Sequence, residues 1–186
     1  VQSEDVLEEV LIAAENYEGG DASADQLAQL FMHSSDIGGA RPKARIRIYD
    51  KEWIAKFSTW EDRFDNPRAE AVCLDFAKAA GLRVPERELR VVNGRSVLLM
   101  SRFDRSSDGA RLSYLSAGTL LGEPAYEYAT SKTYLDTASA ARRIGVQEPE
   151  PEMFRRLLVN SYLRNTDDHL RNHAFINDGT GWSLSL

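Results

Sequence analysis

Asn93-Gly94 stands between two runs of β-favouring residues, 88–92 and 96–103. Asn-Gly is a strong short-range hairpin signal, because both central positions of the favoured two-residue turn need a positive φ. Two neighbouring antiparallel strands are therefore expected at Glu88–Val92 and Ser96–Phe103. A second pair of β-rich runs, Ala44–Tyr49 and Trp53–Ser58, flanks Asp50-Lys51-Glu52, which reads as their turn. Between the hairpins, Asn66 can cap a helix that carries Pro67 at its first position and runs to Gly81. Its apolar face would hold Ala69, Val72, Cys73, Phe76 and Ala80, and Val84-Pro85 ends it.

The flanks read as helix. Val6, Leu7, Val10, Leu11 and Ala14 recur at helical spacing until Gly19-Gly20, and 25–31 suggests a second short helix. Residues 34–43 are small and polar, a loop. After Arg105 the chain is expected to turn helical, with Thr133–Ile144 ending at Gly145 and Pro151–Leu163 carrying apolar residues at Met153, Leu157, Leu158 and Tyr162. A polar loop, 165–172, then leads to a terminal hairpin made of His173–Asn177 and Trp182–Leu186. The order predicts an α+β fold in three parts: an acidic helical segment (1–33), a β-rich lobe (34–105) and a partial helical lobe (106–186).

Composition removes several classes. Cys73 is the only cysteine, which excludes an internal disulfide and a multi-cysteine zinc site. No apolar run approaches the roughly 20 residues of a membrane span, and no signal peptide is recognised, so a cytoplasmic protein without membrane contact is expected. The first residue is not Met, which suggests a fragment boundary. The net charge of −6 is unevenly spread. Residues 1–40 hold nine acidic side chains and no Lys or Arg, whereas 41–186 hold twenty acidic and twenty-three basic ones. Local anion binding is possible in the second part, but a diffuse excess of three is not a nucleic-acid footprint.

Four features carry chemistry. Asp167 and Asn172 are separated by four residues, as in the catalytic loop of protein kinases, where the carboxylate takes the acceptor hydroxyl's proton and the amide oxygen holds Mg²⁺. His169 falls where many kinases place a lysine near the transferred phosphate. Taken alone, the spacing equally suits a surface loop rich in turn-forming Asp and Asn. His169 and His173 as a metal pair would lack the glutamate that follows the first histidine of a zinc hydrolase. Lys56 lies inside an apolar strand, where a kinase puts its phosphate-contacting lysine, and Glu70 on the next helix is its best-placed partner. The plainer alternative is an exposed lysine on the outer strand face. Gly38, Gly39, Ala40 and Lys43 form a loop ahead of that strand, and its glycines permit close backbone approach to phosphate. Ser101, Arg102, Phe103 and Asp104 lie at the junction of the halves, where a kinase hinge binds adenine; Asp104 would accept from a ribose hydroxyl or pair with Arg102 or Arg105.

Glycine loop, strand lysine, helix glutamate, hinge and Asp-x4-Asn loop follow one another in kinase order. On GGARPK at 38–43, WIAKF at 53–57, SRFDR at 101–105 and NTDDHLRNHAF at 165–175, the chain resembles the HipA family of bacterial serine/threonine kinases, toxins of type II toxin–antitoxin systems. The resemblance covers about residues 34–176. It implies a protein-kinase-like fold using ATP and Mg²⁺. Lys56 would be the phosphate contact, Ser101 to Phe103 the hinge, Asp104 a ribose contact, Asp167 the base and Asn172 the metal ligand. It also implies a protein substrate, such as an aminoacyl-tRNA synthetase, and a small DNA-binding antitoxin through which DNA is met indirectly. Family members autophosphorylate a glycine-loop serine; Asp36 occupies that place here, with Ser34 and Ser35 nearby. The second Mg²⁺-binding aspartate is expected after Leu186, so this stretch alone should bind nucleotide weakly and transfer phosphate poorly. The competing expectation is an inactive pseudokinase that acts with the antitoxin.

Overall fold

The computed structural model describes residues 2–26, 43–48, 51–59, 62–106, 108–124 and 131–185. They divide into two compact units, one of residues 1–74 and 85–102 and one of residues 75–84 and 103–186. The expected glycine-loop residues Gly38, Gly39 and Ala40, with Ser34, Ser35 and Asp36, lie outside the described residues.

In the first unit, α1 (Gln2–Gly19) precedes a four-stranded antiparallel sheet built from β1 (Lys43–Ile48), β2 (Lys51–Phe57), β3 (Arg87–Val92) and β4 (Arg95–Ser101), in spatial order β1-β2-β4-β3. Both expected hairpins form. Asn93 and Gly94 take φ of 50° and 77°, the backbone that a two-residue turn matched to strand twist demands. Lys51 and Glu52, assigned to a turn from sequence, belong to β2 instead, since Lys51 pairs with Ile48.

Strand alternation gives the sheet two faces. Ala44, Ile46, Ile48, Trp53, Ala55, Phe57, Val97 and Leu99 share a core with Leu7, Val10 and Leu11 of α1. Each Val, Leu, Ile or Phe side chain among them gains roughly 1.5–3 kcal/mol on leaving water, which is why the helical stripe of α1 meets this face. The acidic character of α1 is met locally: Glu15 pairs with Arg95 at 2.9 Å, and Asn93 Nδ2 donates to Glu8 Oε1 at 3.1 Å. The opposite face presents Lys43, Ile54, Lys56, Ser96 and Met100.

Helix α2 (Asn66–Ala79) follows β2. Asp65, not Asn66, caps it: Asp65 Oδ1 accepts from the Arg68 N–H at 3.1 Å. The apolar stripe read from sequence is only partly buried, with Val72 62% and Phe76 36% exposed. Phe76 instead stacks on Tyr162, ring centroids 5.0 Å apart.

The second unit holds β5 (Ser113–Ser116), the one-turn helix α3 (Ala117–Leu120), α4 (Tyr134–Arg143), α5 (Pro149–Tyr162), β6 (Ala174–Asn177) and β7 (Trp182–Leu184). The terminal hairpin pairs as expected, but β5 adds a third strand alongside β6 in a stretch expected to be helical. Four residues of β5 are too few to show period-2 patterning, so partner strand β6 decides their state. Ala138 and Ala141 of α4 and Met153 of α5 pack with Phe175 and Leu184. Of the apolar residues read on this helix, Leu157, Leu158 and Tyr162 are 37%, 52% and 74% exposed, whereas Met153 is buried, as is Val159. Among the described residues, no helix is long and apolar enough to cross a membrane.

Candidate active site

In the first unit, the alternation that buries Ala55 turns Lys56 and Ile54 to the face away from α1. The register sets Lys43 directly across from Lys56 and Met100 across from Ile54. Two ammonium groups and an apolar surface therefore share one face. Burial lowers the pKa of the Lys43 ammonium; the charge of Lys56 lowers it further, and Glu70 opposes both. Ser96 Oγ on β4 donates to the cap residue Asp65, which ties the start of α2 to the sheet. Glu70 lies just beyond the first turn from that tie and accepts from Lys56 Nζ. The sequence named Glu70 as partner; the structure brings the two together within one unit.

At the end of β4, the Ser101 N–H donates to the Glu86 carbonyl at 2.8 Å and the Arg102 N–H to the Glu52 carbonyl at 3.1 Å. These two main-chain donors are thus engaged by protein, and adenine at the expected hinge would use other groups. In the second unit, Asp104 forms an ion pair with Arg105 at 2.8 Å. Phe103 lies 6.3 Å from Tyr114, whose hydroxyl pKa is raised by burial and by the Asp104 charge. Tyr114 was not singled out from sequence, because β5 itself was not.

The polar loop is built between α5 and β6. Arg164 takes φ of 54°, and the Asn165 N–H donates back to the Asn160 carbonyl at 2.9 Å, which stops α5. Asn165 Oδ1 then accepts from the Asp167 N–H at 3.2 Å. The Asp167 side chain is 92% exposed, whereas its neighbour Asp168 is 14% exposed. His169 Nδ1 accepts from the Arg171 N–H at 3.3 Å, so the proton of the neutral ring is on Nε2, 4.0 Å from Asp167 Oδ1. Asn172 Nδ2 donates to the Asp167 carbonyl at 2.5 Å. That bond leaves Asn172 Oδ1 as an oxygen acceptor in the loop.

These donors suit Mg²⁺, a hard cation that takes one or two protein oxygens and fills its octahedron with phosphate oxygens and water. Asn172 Oδ1 would be the ligand. Among the described residues, no cluster of three or more His, Cys, Asp or Glu side chains is placed to hold a metal. The paired-histidine reading gains no support: His173 Nε2 is 2.9 Å from Asp168 Oδ1, and His169 Nδ1 serves the loop backbone.

Sequence reading missed the network below the loop. Tyr134 hydroxyl donates to Asp168 Oδ2 and accepts from Asn160 Nδ2 at 3.0 Å. Tyr134 opens α4 just after Thr133, whose side chain and backbone form a capping box with Asp136. The only sequence signal is the spacing of Asp168 and His173; Tyr134 enters from a distant helix.

The sequence pattern of the HipA-like C-terminal domain family matches residues 35–185. No curated protein matches the chain. Among solved structures, it is similar to HipA of the Shewanella oneidensis MR-1 toxin–antitoxin system, solved with HipB and operator DNA, at a TM-score of 0.61 and 18% identity over 80% of this chain and 42% of that one. It is also similar to the Helicobacter pylori proinflammatory kinase CtkA, at a TM-score of 0.59 and 17% identity over 80% of this chain and 53% of that one. The chain thus spans about half the length of these proteins or less, and at such identities the likeness establishes a kinase-like α+β fold.

Proposed function

Because this chain belongs to the HipA-like C-terminal domain family, we propose that it is the nucleotide-handling part of a serine/threonine protein kinase that moves the γ-phosphate of ATP to a protein hydroxyl. The observation that carries the reading is the Lys56–Glu70 ion pair, because an aligned strand lysine held by a helix carboxylate is the arrangement kinases require.

In this reading Lys56 contacts the ATP phosphates and Glu70 fixes its ammonium. Lys43, beside Lys56, adds a second positive charge on the same face. Ile54 and Met100 offer an apolar surface to the base, with Ser101 to Phe103 as hinge and Asp104 at the ribose. Asp167 orients the acceptor hydroxyl and receives its proton as the new P–O bond forms and ADP leaves. His169 Nε2–H faces the same carboxylate and donates toward the transferred phosphate. Asn172 Oδ1 holds Mg²⁺, which when bound neutralises charge on the phosphate oxygens. Gly38, Gly39 and Ala40, outside the described residues, would belong to the proposed nucleotide-binding set. A small DNA-binding antitoxin is the proposed partner, DNA being met through it, and the likeness to a HipA solved with HipB and operator DNA supports this.

The test is transfer of labelled γ-phosphate from Mg·ATP by the full-length protein, as wild type, Lys56→Met and Asp167→Asn. Transfer by the wild type and loss in both variants is expected. ATP binding with no transfer even in the wild type would favour a regulatory pseudokinase.

A further inference from the structure

Asp167 and Asn172 each precede a residue that is tied down. Asp168 Oδ1 lies 2.9 Å from His173 Nε2, and Asp168 Oδ2 accepts from the Tyr134 hydroxyl. The His173 ring is buried, 7% exposed, and meets the Tyr134 ring edge-on at 5.2 Å between centroids. Its Nε2 donates to Asp168, and its Nδ1 has no hydrogen-bond partner among the described residues. Two main-chain bonds add to the hold: the Ala117 N–H donates to the His173 carbonyl at 2.8 Å, and the Gly118 N–H to the Leu170 carbonyl at 3.2 Å. All of these groups belong to the second unit.

We infer that Asp168, His173 and Tyr134 form a clamp that positions Asp167 and Asn172, with Asp168 as a positioning residue that touches neither nucleotide nor acceptor. This rests on the kinase reading of Asp167 and Asn172. The geometry follows from the chain. Asp168 is drawn inward by two donors, so the preceding Asp167 is sent outward, as their exposures of 14% and 92% record. The Asp168–His173 bond closes the loop across its ends and removes most of the freedom of 169–172. Asn172, one residue before the second anchor, is thereby held where its Nδ2 meets the Asp167 carbonyl. A loop that held its catalytic groups less firmly would still bind ATP, but would lose the alignment on which transfer depends.

The experiment combines hydrogen–deuterium exchange across 165–173 with steady-state kinetics on the full-length protein. Asp168→Ala and His173→Phe should speed amide exchange in the loop by about tenfold and lower kcat by about tenfold or more, with KM for Mg·ATP within about twofold. His173→Gln, whose amide nitrogen reaches the place of Nε2, should return kcat to within about threefold of wild type. Tyr134→Phe deletes one hydroxyl and guards against a fold lost in Asp168→Ala; it should raise loop exchange by about threefold. Loop exchange within about twofold of wild type in Asp168→Ala and His173→Phe, or glutamine no better than phenylalanine at 173, would overturn the clamp. A wild type without transfer would defeat the kinase reading instead, and the exchange data would still decide the clamp.

Discussion

Glu70 on α2 accepts from Lys56 on β2, and the first hairpin sets Lys43 directly across from Lys56. Glu70 thus engages one of two ammonium groups that share a face. The side chains of the pair are 30% and 38% exposed, so its contribution to stability is that of a surface bridge, about 1 kcal/mol or less. In the proposed function its value lies in holding an ammonium for the ATP phosphates.

Glu70→Gln should therefore leave the unfolding free energy within about 1 kcal/mol of wild type while weakening phosphate transfer by about tenfold or more. Chemical denaturation and a transfer assay on the same preparation separate the two. Equal losses in both would mean that the pair is only structural.

Lys43 should react ahead of typical surface lysines. Burial and the Lys56 charge lower its pKa from the ordinary lysine value of 10.5, so at any pH below that value more of its amine is unprotonated. Acylation near pH 8.5, followed by peptide mapping, should show Lys43 labelled early, and Mg·ATP should slow that labelling if the amine faces phosphate.

Asp168 gives the second unit a pH-dependent component of stability. Burial pushes its carboxyl pKa up, but the bonds from His173 and Tyr134 outweigh that and hold it below the ordinary value of 3.8. A carboxylate whose folded pKa is depressed stabilises the fold above its unfolded pKa, and that contribution fades as pH falls through the folded value. The stability difference between wild type and Asp168→Asn should accordingly be full at pH 6–7 and shrink below about pH 4. Denaturation curves across that range would expose a flat difference, which would remove the charge from the explanation.

Gly94→Ala tests the β3–β4 hairpin. Gly94 has φ of 77°, where an L side chain costs about 1–2 kcal/mol, and an added Cβ there meets no atom within 4 Å. The loss should therefore be backbone strain alone, seen as a drop in denaturation midpoint without a change in slope.

Much of this architecture was legible in sequence because local chemistry dictated it. Asn93-Gly94 fixed a hairpin, Gly145 ended α4, and period-2 alternation set Lys56 opposite Ala55. What was hidden depended on partners distant in the chain. β5 is a strand only because β6 lies beside it, and Asp65 caps α2 while also binding Ser96 on β4. The site divides the same way. The spacing of Asp167 and Asn172 was readable, as was Glu70 as the partner of Lys56. That Asp168 faces inward is set by Tyr134 and His173, and no local pattern announces it.

Phosphate transfer by Asp167→Asn, measured beside its affinity for Mg·ATP, tests the proposed function most directly. Asparagine keeps the size of the exposed side chain but cannot take the acceptor's proton, so full-length Asp167→Asn should bind Mg·ATP as the wild type does and transfer about a hundredfold more slowly. Transfer at the wild-type rate by Asp167→Asn, or a wild type that does not bind Mg·ATP, would contradict the proposed kinase function.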